Sequence, residues 1–335
     1  MKNQTTQGLR CLAIVIIMLS HMYGYFNKWG AAGVSIFLGI SGYYLCRTAI
    51  DGNYNWNICS AIYKLVKIYP LYLLVTLITA TYFNASIVYG VSKARNNVIL
   101  LTNLLMIQTL FRDNAFRGAF SQVGWYIPIV FFSILLGPLY MWIWKKLNRV
   151  KAYLVIAAIL LIELLMPVAF AEWDGLRWLV YSNPLWRQLD ILAGGCVFLI
   201  AKERRNKKTS LALKQVALVA LAGGLTASLF LKGAWVSTVL WLVPTWLILL
   251  EIDCINGWLG KLVSIKPFVY IGDISFEIFL THYMIMHLYS EYLWPCTTNI
   301  LTIGLYVVIV LAISSIIHIC DEKIAEWYKR KFVKA

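Results

Sequence analysis

A basic residue and a histidine lie in the first apolar run of the chain, residues 8–26. They are Arg10 and His21, eleven positions apart. On an α-helix, at ~1.5 Å per residue, this separation brings both side chains to one face, about 16 Å apart along the axis. A charged group among lipid tails costs roughly 2.5–3.5 kcal/mol, so such residues normally face a cavity or a partner. We therefore predict a hydrated or ligand-occupied helix face, with a cation near one membrane surface and an imidazole deep inside.

The residue types of this pair suggest acid–base chemistry beside an anion. Histidine suits proton transfer because its ordinary pKa, about 6.5, is close to neutral pH. Arginine suits phosphate or carboxylate ligands. Two other interpretations stay open: His21 only hydrogen-bonds a neighbouring helix, or Arg10 only extends to lipid phosphates.

Three more polar positions lie near the first spans. Lys64 and Lys67 are one helical turn apart where the third apolar run begins. They are either topology signals or, with Arg10, a basic mouth for a polyanionic cofactor. Ser41 and Gly42 interrupt the second apolar run, which is typical of close helix packing or of the passage of a ligand chain.

Later apolar runs also carry polar residues. Arg187 and Asp190 have the i, i+3 spacing of an ion pair, while Glu163 has no evident partner in the sequence. His282 is predicted near the membrane midplane, and the role of Glu277 in the same run stays open.

The composition identifies the element type that must position these residues. The 335 residues are 61% hydrophobic and 13% charged, and apolar runs recur throughout. This predicts an all-α, polytopic transmembrane helix bundle.

No small-residue cleavage site follows the first run, so we do not expect a cleaved signal peptide. The net charge of +15 falls in short loops, which indicates topology signals and not nucleic-acid binding. Seven scattered cysteines predict neither a disulfide framework nor a metal site.

The runs predict about ten spans. With both termini in the cytoplasm, 22 of the 30 Lys and Arg residues fall on the inner side. Residues 97–111 are short for a span and contain Asn103 and Gln108, so we predict a re-entrant or interfacial element on the outer side. The predicted loops at 171–184 and 291–299 also lie outside. The predicted spans are 8–26, 31–46, 67–84, 125–144, 152–170, 185–201, 211–231, 235–250, 268–290 and 300–319.

The chain resembles the acyltransferase 3 family of integral-membrane acyltransferases. Arg10 and His21 fit the R-x10-H pattern of that family, and Trp125 begins its W-(S/F/Y)-(L/I) segment. Two lysines, Lys64 and Lys67, replace the arginines of its R-x-x-R-(I/L)-x-P motif, which keeps the charge but loses bidentate phosphate geometry. The other matching stretches are SIFLGISGYYL at 35–45, KLVKIYPLYLL at 64–74, RQLDILAGG at 187–195 and GDISFEIFLTH at 272–282.

This resemblance implies one acyltransferase domain over 1–335 in a cell membrane, as in the bacterial cytoplasmic membrane. The implied reaction moves an acyl group, most often acetyl, from cytoplasmic acyl-CoA to a hydroxyl of a cell-surface or exported carbohydrate. Acetyl-CoA is then the donor substrate, the carbohydrate and the lipid bilayer are the other partners, and no metal is expected. The matching motifs end near the end of the chain, so we expect a stand-alone membrane domain.

The resemblance also implies roles for the candidate residues. Arg10, Lys64 and Lys67 would hold the coenzyme A phosphates, and His21 would be the general base. Ser41 and His282 would act in positioning or charge stabilisation. Direct transfer and an acyl-histidine intermediate both fit these residues.

Two other functions compete with this hypothesis. A transporter or flippase would use ionisable residues as a relay, but it predicts paired broken helices in two similar halves, and the sequence has no evident repeat. A non-catalytic partner in polysaccharide synthesis would keep the fold without the chemistry. The presence of both Arg10 and His21 argues against this second alternative.

Overall fold

The computed structural model describes residues 4–23, 27–52, 56–82, 93–202, 211–250, 252, 263–293 and 299–333. Within these ranges all regular secondary structure is helical, which confirms the predicted all-α class. The α-helices are α1 Gln4–Met22, α2 Gly30–Asp51, α3 Ile58–Tyr82, α4 Lys93–Leu104, α5 Asn114–Arg117, α6 Tyr126–Leu135, α7 Gly137–Lys146, α8 Arg149–Ala169, α9 Leu176–Ser182, α10 Gln188–Ala201, α11 Leu211–Phe230, α12 Leu240–Leu250, α13 Lys266–Asp273, α14 Ser275–Tyr292 and α15 Ile300–Tyr328. A 3₁₀ turn covers Gln108–Leu110, and π-helical turns cover Trp235–Val239 and Lys329–Val333.

Several of these helices are long and apolar enough to cross a bilayer. Among the described residues, α1, α2, α3, α8 and α15 meet this condition singly, and the interrupted pairs α6–α7 and α13–α14 raise the number of candidate spans from 5 to 7. The shorter apolar helices are α10, α12 and Gln215–Phe230 of α11. Each of the ten predicted segments overlaps one of these helices or pairs. The protein is thus a membrane helix bundle, while the ten crossings and the cytoplasmic termini stay predictions.

The helix ends differ from the predicted segment ends in three places. Helix α1 runs over 4–22 instead of 8–26, so His21 lies in its last turn. Helix α3 begins at Ile58, nine residues before the predicted start, so the two lysines lie within it and not at its beginning. Helix α15 continues to Tyr328, beyond the predicted end at 319. An apolar run marks the lipid-compatible part of a helix, whereas backbone hydrogen bonds continue through polar residues at either end.

Two predicted loops contain helix. Helix α2 continues to Asp51, into the predicted polar loop that follows the second span. Helix α9 lies within the predicted 171–184 loop. Part of the 291–299 loop, residues 294–298, lies outside the described residues.

The chain divides into two compact units, and each is described here by itself. Unit 1 comprises Met1–Asn55, Leu136–Tyr181 and Leu185–Asp273. Unit 2 comprises Trp56–Leu135, Ser182–Pro184 and Ile274–Ala335.

Unit 1 is organised around the contact between α2 and α10. At Gly42, an ideal Cβ would lie 1.9 Å from the carbonyl oxygen of Ile191, so a side chain cannot fit without separating the two helices. Small residues allow this kind of backbone approach between membrane helices. The structure therefore confirms that the small residues near Ser41 mark close helix packing.

Unit 2 packs α14 against α15 and α3. The hydroxyl of Tyr289 donates to the carbonyl of Thr302 at 3.1 Å, and the hydroxyls of Thr281 and Ser314 lie 3.1 Å apart. Helix α15 begins with a capping box, in which Asn299 accepts from the backbone N–H of Thr302 at 2.9 Å. Reciprocal capping of this kind stabilises the first turn of a helix.

Candidate active site

Helix α1 carries both Arg10 and His21 without interruption. Arg10 lies in the second turn and His21 in the last, and both side chains are partly exposed. At ~1.5 Å per residue the two positions are about 16 Å apart along the axis. The structure confirms that one helix holds the pair and places His21 in its last turn, while the depth of the imidazole in the membrane stays a prediction.

The backbone around Arg10 is tightly packed within unit 1. An ideal Cβ at Gly8 would lie 1.8 Å from the carbonyl oxygen of Val263, so α1 and the residues before α13 are in direct backbone contact. The hydroxyls of Thr6 and Tyr44 form a hydrogen bond that joins α1 to α2. These contacts fix the part of α1 from which the guanidinium projects.

The other end of α1 is held by local hydrogen bonds. The hydroxyl of Ser20, which is buried, donates to the carbonyl of Ile17 at 2.7 Å. The backbone N–H of Tyr23 donates to the carbonyl of Leu19 at 3.0 Å, across the last turn of the helix. His21 is therefore presented from a well-ordered final turn, a suitable support for a side chain that must be oriented.

Ser41 lies on an exposed part of α2. Its hydroxyl donates to the carbonyl of Phe37, one turn earlier, at 2.8 Å. A serine that donates to its own helix keeps its oxygen lone pairs available, but it must break this bond to donate to a ligand. Ser41 is therefore accessible, and its hydroxyl donor is used within α2.

Arg187 and Asp190 form the predicted ion pair. The Nη2 atom of Arg187 lies 3.0 Å from Oδ2 of Asp190, and the two side chains are 1% and 6% exposed. The same Nη2 donates to the hydroxyl of Ser35 on α2 at 3.4 Å. The pair therefore ties α10 to α2 in the interior of unit 1.

Glu163, on α8, has two partners that the sequence did not reveal. The indole N–H of Trp186 donates to its Oε1 at 2.6 Å, and the hydroxyl of Thr238 donates to its Oε2 at 3.1 Å. The residue is 2% exposed. Both partners are distant in sequence, so no local pattern could have indicated them, and the contacts explain how this carboxyl group is accommodated in an apolar interior.

Lys64 and Lys67 lie on α3 in unit 2. The Nζ of Lys67 lies 5.4 Å from the ring centroid of Tyr63, a distance that favours a cation–π interaction. Tyr63 in turn stacks on Tyr328 of α15, with centroids 6.4 Å apart. Lys64 is partly buried and Lys67 is exposed. Lys67 therefore lies beside two stacked aromatic rings.

His282 is fully buried on α14. Its Nδ1 lies 2.9 Å from the carbonyl oxygens of both Ile278 and Phe279. A carbonyl can only accept, so in the neutral ring Nδ1 carries the hydrogen and Nε2 carries the lone pair. The hydroxyl of Tyr306 donates to the backbone carbonyl of His282 at 3.1 Å and fixes this turn of the helix.

A carboxylate–histidine pair near His282 was not predicted. The Nδ1 of His318 on α15 lies 2.5 Å from Oε1 of Glu277 on α14. His318 is partly exposed and Glu277 is buried. The two residues are far apart in sequence, and His318 lies near the end of the last predicted span, so nothing local distinguished it.

The 97–111 stretch is not a membrane span. Helix α4 has 12 residues and ends at Leu104, and Met106 adopts a left-handed backbone with φ 56°. Gln108 is fully buried, and its side-chain amide donates to the hydroxyl of Tyr72 and to the carbonyl of Gly124, both at 3.1 Å. This confirms that the stretch does not cross as one helix, while its location on the outer side stays a prediction.

The six predicted site residues fall in both units. Unit 1 holds Arg10, His21 and Ser41, and unit 2 holds Lys64, Lys67 and His282. Within unit 1, α1 and α2 pack against each other along their length. In the ranges that the structure describes, His, Cys, Asp and Glu form no group of three or more that could hold a metal ion.

A comparison with known protein families decides the class of this helix bundle. The family model described as an acyltransferase domain matches residues 6–319. The chain belongs to the acyltransferase 3 family. The match includes α1 with its Arg10 and His21 and extends through most of α15. No curated protein and no solved structure matches the chain.

Membership of this family makes the protein a membrane acyltransferase. An acyltransferase needs an acyl donor, an acceptor and a group that accepts the proton of the acceptor nucleophile. Among the predicted site residues, only His21 and His282 carry an imidazole, the side chain whose ordinary pKa lies near neutral pH. His282 is fully buried, whereas His21 is partly exposed at a helix end.

Proposed function

We propose that this acyltransferase moves an acetyl group from acetyl-CoA, bound from the cytoplasmic side, to a hydroxyl of a carbohydrate on the outer side of the membrane. The observation that carries the proposal is the presence of Arg10 and His21 on one uninterrupted helix of a chain that belongs to an acyltransferase family. Their axial separation, about 16 Å, is comparable to the length of an extended pantetheine arm.

Arg10 is the proposed phosphate contact at one end of this arrangement. Its guanidinium can donate two parallel hydrogen bonds to phosphate oxygens. The packing of α1 at Gly8 holds the backbone beneath it. The pantetheine arm would extend from here along α1, so that the thioester comes close to His21. Lys64 and Lys67 are proposed as further phosphate contacts, which we test separately.

His21 is the proposed general base. In direct transfer, the acceptor hydroxyl loses its proton to the imidazole as its oxygen attacks the thioester carbonyl. A carbon–oxygen bond forms, the carbon–sulfur bond breaks, and the coenzyme A thiolate leaves and takes a proton. With an acyl-histidine intermediate, the imidazole nitrogen attacks the thioester carbonyl first, the carbon–sulfur bond breaks and the coenzyme A thiolate leaves. The acceptor oxygen then bonds to the acyl carbon, the carbon–nitrogen bond breaks, and the hydroxyl proton passes to the released imidazole. Both routes require the imidazole to be accessible, in agreement with the partial exposure of His21.

Ser41 and His282 have supporting roles in this proposal. The exposed hydroxyl of Ser41 would help to orient a substrate, and the ring of His282 would contribute to positioning or charge stabilisation. The tautomer of His282, with the hydrogen on Nδ1, presents Nε2 as a hydrogen-bond acceptor.

A transfer assay tests the proposed function directly. The full-length protein in nanodiscs is incubated with acetyl-CoA labelled in the acetyl group and with a panel of oligosaccharides, and covalent label on the sugar is measured. We expect label transfer by the wild type and none by His21→Ala. The control is His287→Ala, which removes an exposed histidine of α14 and should keep activity.

Three results would contradict the proposal. Sugar transport across a sealed bilayer without label transfer would indicate a transporter. Equal transfer by His21→Ala and the wild type would exclude His21 as the base. A complete absence of transfer with every acyl donor and acceptor tested, from protein shown to be folded, would favour a non-catalytic partner.

A further inference from the structure

We infer that residues 95–117 of unit 2 form a binding surface for an anionic carbohydrate, which would be the acceptor of the proposed reaction. The surface consists of Arg95, Phe111, Arg112, Asp113, Asn114, Phe116 and Arg117, and we call it the 95–117 surface. This inference rests on the proposed function for the identity of the acceptor and for its location on the outer side.

The charge of this part of the chain is the first observation. Residues 93–117 contain four basic residues and one carboxylate, Asp113. Under the predicted topology, these four are half of the eight Lys and Arg residues on the outer side. Membrane proteins normally carry few basic residues in short outer loops. A cluster of basic residues in one outer loop region therefore requires an explanation other than topology, and recognition of an anion is such an explanation.

Two other basic residues predicted on the outer side are explained by helix packing. The Nζ of Lys28 donates to the carbonyls of Ser228 and Leu231 at the end of α11, at 3.0 and 2.8 Å. Arg187 is buried against Asp190. Arg95, which pairs with Asp113, and Arg112 are instead exposed at the 95–117 surface.

An aromatic pair lies among these charges. Phe111 and Phe116 stack with ring centroids 4.8 Å apart, and Phe111 is 41% exposed. The face of an aromatic ring carries negative electrostatic potential, which attracts the polarised C–H bonds on one face of a sugar ring. The exposed ring of Phe111 therefore offers a stacking platform beside exposed guanidinium groups.

Polar groups that can bind hydroxyls surround the platform. Asp113 pairs with the guanidinium of Arg95, and its other oxygen accepts from the backbone N–H of Ala115 at 2.8 Å. The side chain of Asn114 accepts from Arg117 at 2.7 Å. These interactions orient the carboxylate, the amide and both guanidinium groups. Sugar hydroxyls donate and accept, so this mixture of oriented donors and acceptors is suited to them.

The backbone on either side of the surface is strained. Met106 and Phe120, one on each side of the surface, have left-handed backbone φ angles of 56° and 59°. Residues other than glycine rarely adopt this backbone conformation. The buried amide of Gln108 bridges Tyr72 and Gly124 and holds the segment in place. Strain of this kind persists where the surrounding structure enforces it, and it is concentrated at binding sites.

An anionic lipid headgroup is the main alternative ligand for a basic patch at a membrane. The exposed ring of Phe111 and the amide of Asn114 favour the carbohydrate, because a sugar uses both a stacking face and hydrogen bonds to its hydroxyls, whereas a lipid phosphate needs only the basic residues. The experiment must still separate the two ligands.

Binding of defined oligosaccharides to the full-length protein tests the inference without any acyl donor. The protein is placed in nanodiscs of phosphatidylcholine alone or with phosphatidylglycerol. The probes are a short oligogalacturonate and a neutral maltooligosaccharide of the same length. We expect the oligogalacturonate to bind more tightly, and its affinity to fall as salt is raised. Arg112→Gln should weaken its binding by about three- to fivefold, the range for one partly exposed charge contact.

Two further variants make the result specific. Phe111→Ala should weaken binding of the oligogalacturonate through loss of the stacking platform, without changing the salt dependence. Arg177→Gln removes an exposed basic residue of α9, outside the surface, and should leave binding unchanged. The thermal unfolding temperature of each variant is measured together with its affinity. It should stay unchanged for the two arginine variants and fall only slightly for Phe111→Ala, which loses the contact with Phe116.

The inference is overturned if both oligosaccharides bind equally, if neither binds, or if Arg177→Gln has the same effect as Arg112→Gln. An Arg112→Gln effect that occurs only with phosphatidylglycerol would assign the surface to lipid headgroups. Because no donor is present, failure here leaves acetyl transfer to a neutral acceptor intact. Failure of the transfer assay with binding intact would instead contradict the proposed function.

Discussion

The guanidinium of Arg187 and the carboxylate of Asp190 face each other one helical turn apart, 3.0 Å between Nη2 and Oδ2, in the interior of unit 1. Only 1% of the arginine side chain is exposed. Desolvation of two charges is costly, so such a pair is stable only while both partners are present. Because Nη2 also donates to Ser35, the pair contributes to the contact between α10 and α2.

Removal of one partner should therefore destabilise the protein strongly. We expect Arg187→Met to cost about 3–5 kcal/mol, because the carboxylate of Asp190 is left buried and unpaired. The double variant Arg187→Met with Asp190→Leu should recover most of this loss. The free energy of unfolding in mixed micelles, measured as a double-mutant cycle, gives the coupling.

A second ion pair of unit 1 provides a matched control. Lys202 and Asp51 lie 3.2 Å apart with side chains 46% and 26% exposed. Asp51→Asn should change the free energy of unfolding by no more than ~1 kcal/mol, because solvent screens the charges. A similar loss in the free energy of unfolding for Asp51→Asn and Arg187→Met would show that burial of the ion pair does not determine how much its removal destabilises the protein.

The sequence could predict features that depend on local spacing. Arg10 and His21 lie in one apolar run, and Arg187 and Asp190 are at i, i+3, so both pairs follow from helix geometry alone. The partners of Glu163 could not be predicted, since Trp186 and Thr238 come from other elements. Such contacts depend on which helices pack together, and a single sequence does not determine this.

Helix ends were predicted less well than helix positions. Hydropathy locates the part of a helix that suits lipid, but α3 begins in the polar stretch at Ile58, and α15 continues through Asp321 and Glu322. Charged residues are compatible with helix geometry, so they do not end a helix. In α1 the error is the opposite one, because the apolar run continues to residue 26 whereas the helix ends at Met22, which leaves His21 in the last turn.

The close contact of α2 with α10 predicts an asymmetry between two glycines. Gly42→Ala would place a Cβ 1.9 Å from the carbonyl oxygen of Ile191, and the helices must separate to admit it. We expect a loss of about 1–3 kcal/mol or more in the free energy of unfolding. At Gly304 of α15, an added Cβ meets nothing within 4 Å. Gly304→Ala should therefore stabilise the helix by roughly 0.5–1 kcal/mol. Equal effects at both positions would contradict the packing that we describe.

Native cysteines can test the predicted topology. Cys59, near the start of α3, and Cys320, near the end of α15, are both exposed and are both predicted to face the cytoplasm. Cys296, which lies outside the described residues, is predicted to face outward. A membrane-impermeant maleimide added to intact cells should label Cys296 and should reach Cys59 and Cys320 only after the membrane is opened. Labelling of Cys320 in intact cells would contradict the cytoplasmic C-terminus and the direction proposed for acetyl transfer.

The last prediction separates the roles of the two residues on α1. If Arg10 contacts phosphate, Arg10→Ala should weaken coenzyme A binding by roughly 1.5–3 kcal/mol, the contribution of a hydrogen bond to a charged group. Lys64→Ala and Lys67→Ala should act in the same direction but less, because a lysine lacks the planar fork. Lys67 in addition has an alternative partner in the ring of Tyr63, 5.4 Å from its Nζ.

His21→Ala should behave in the opposite way. It should abolish acetyl transfer while coenzyme A binding stays nearly unchanged, because the imidazole lies about 16 Å along α1 from the proposed phosphate contact. Calorimetric binding of coenzyme A and turnover of labelled acetyl-CoA, measured on the same nanodisc samples, give both quantities for each variant. Equal losses of binding for His21→Ala and Arg10→Ala would indicate a general packing role of α1. We expect His21→Ala to lose turnover and retain coenzyme A binding, and Arg10→Ala to lose coenzyme A binding first. This pair of results would place the chemistry at one end of α1 and the phosphates at the other.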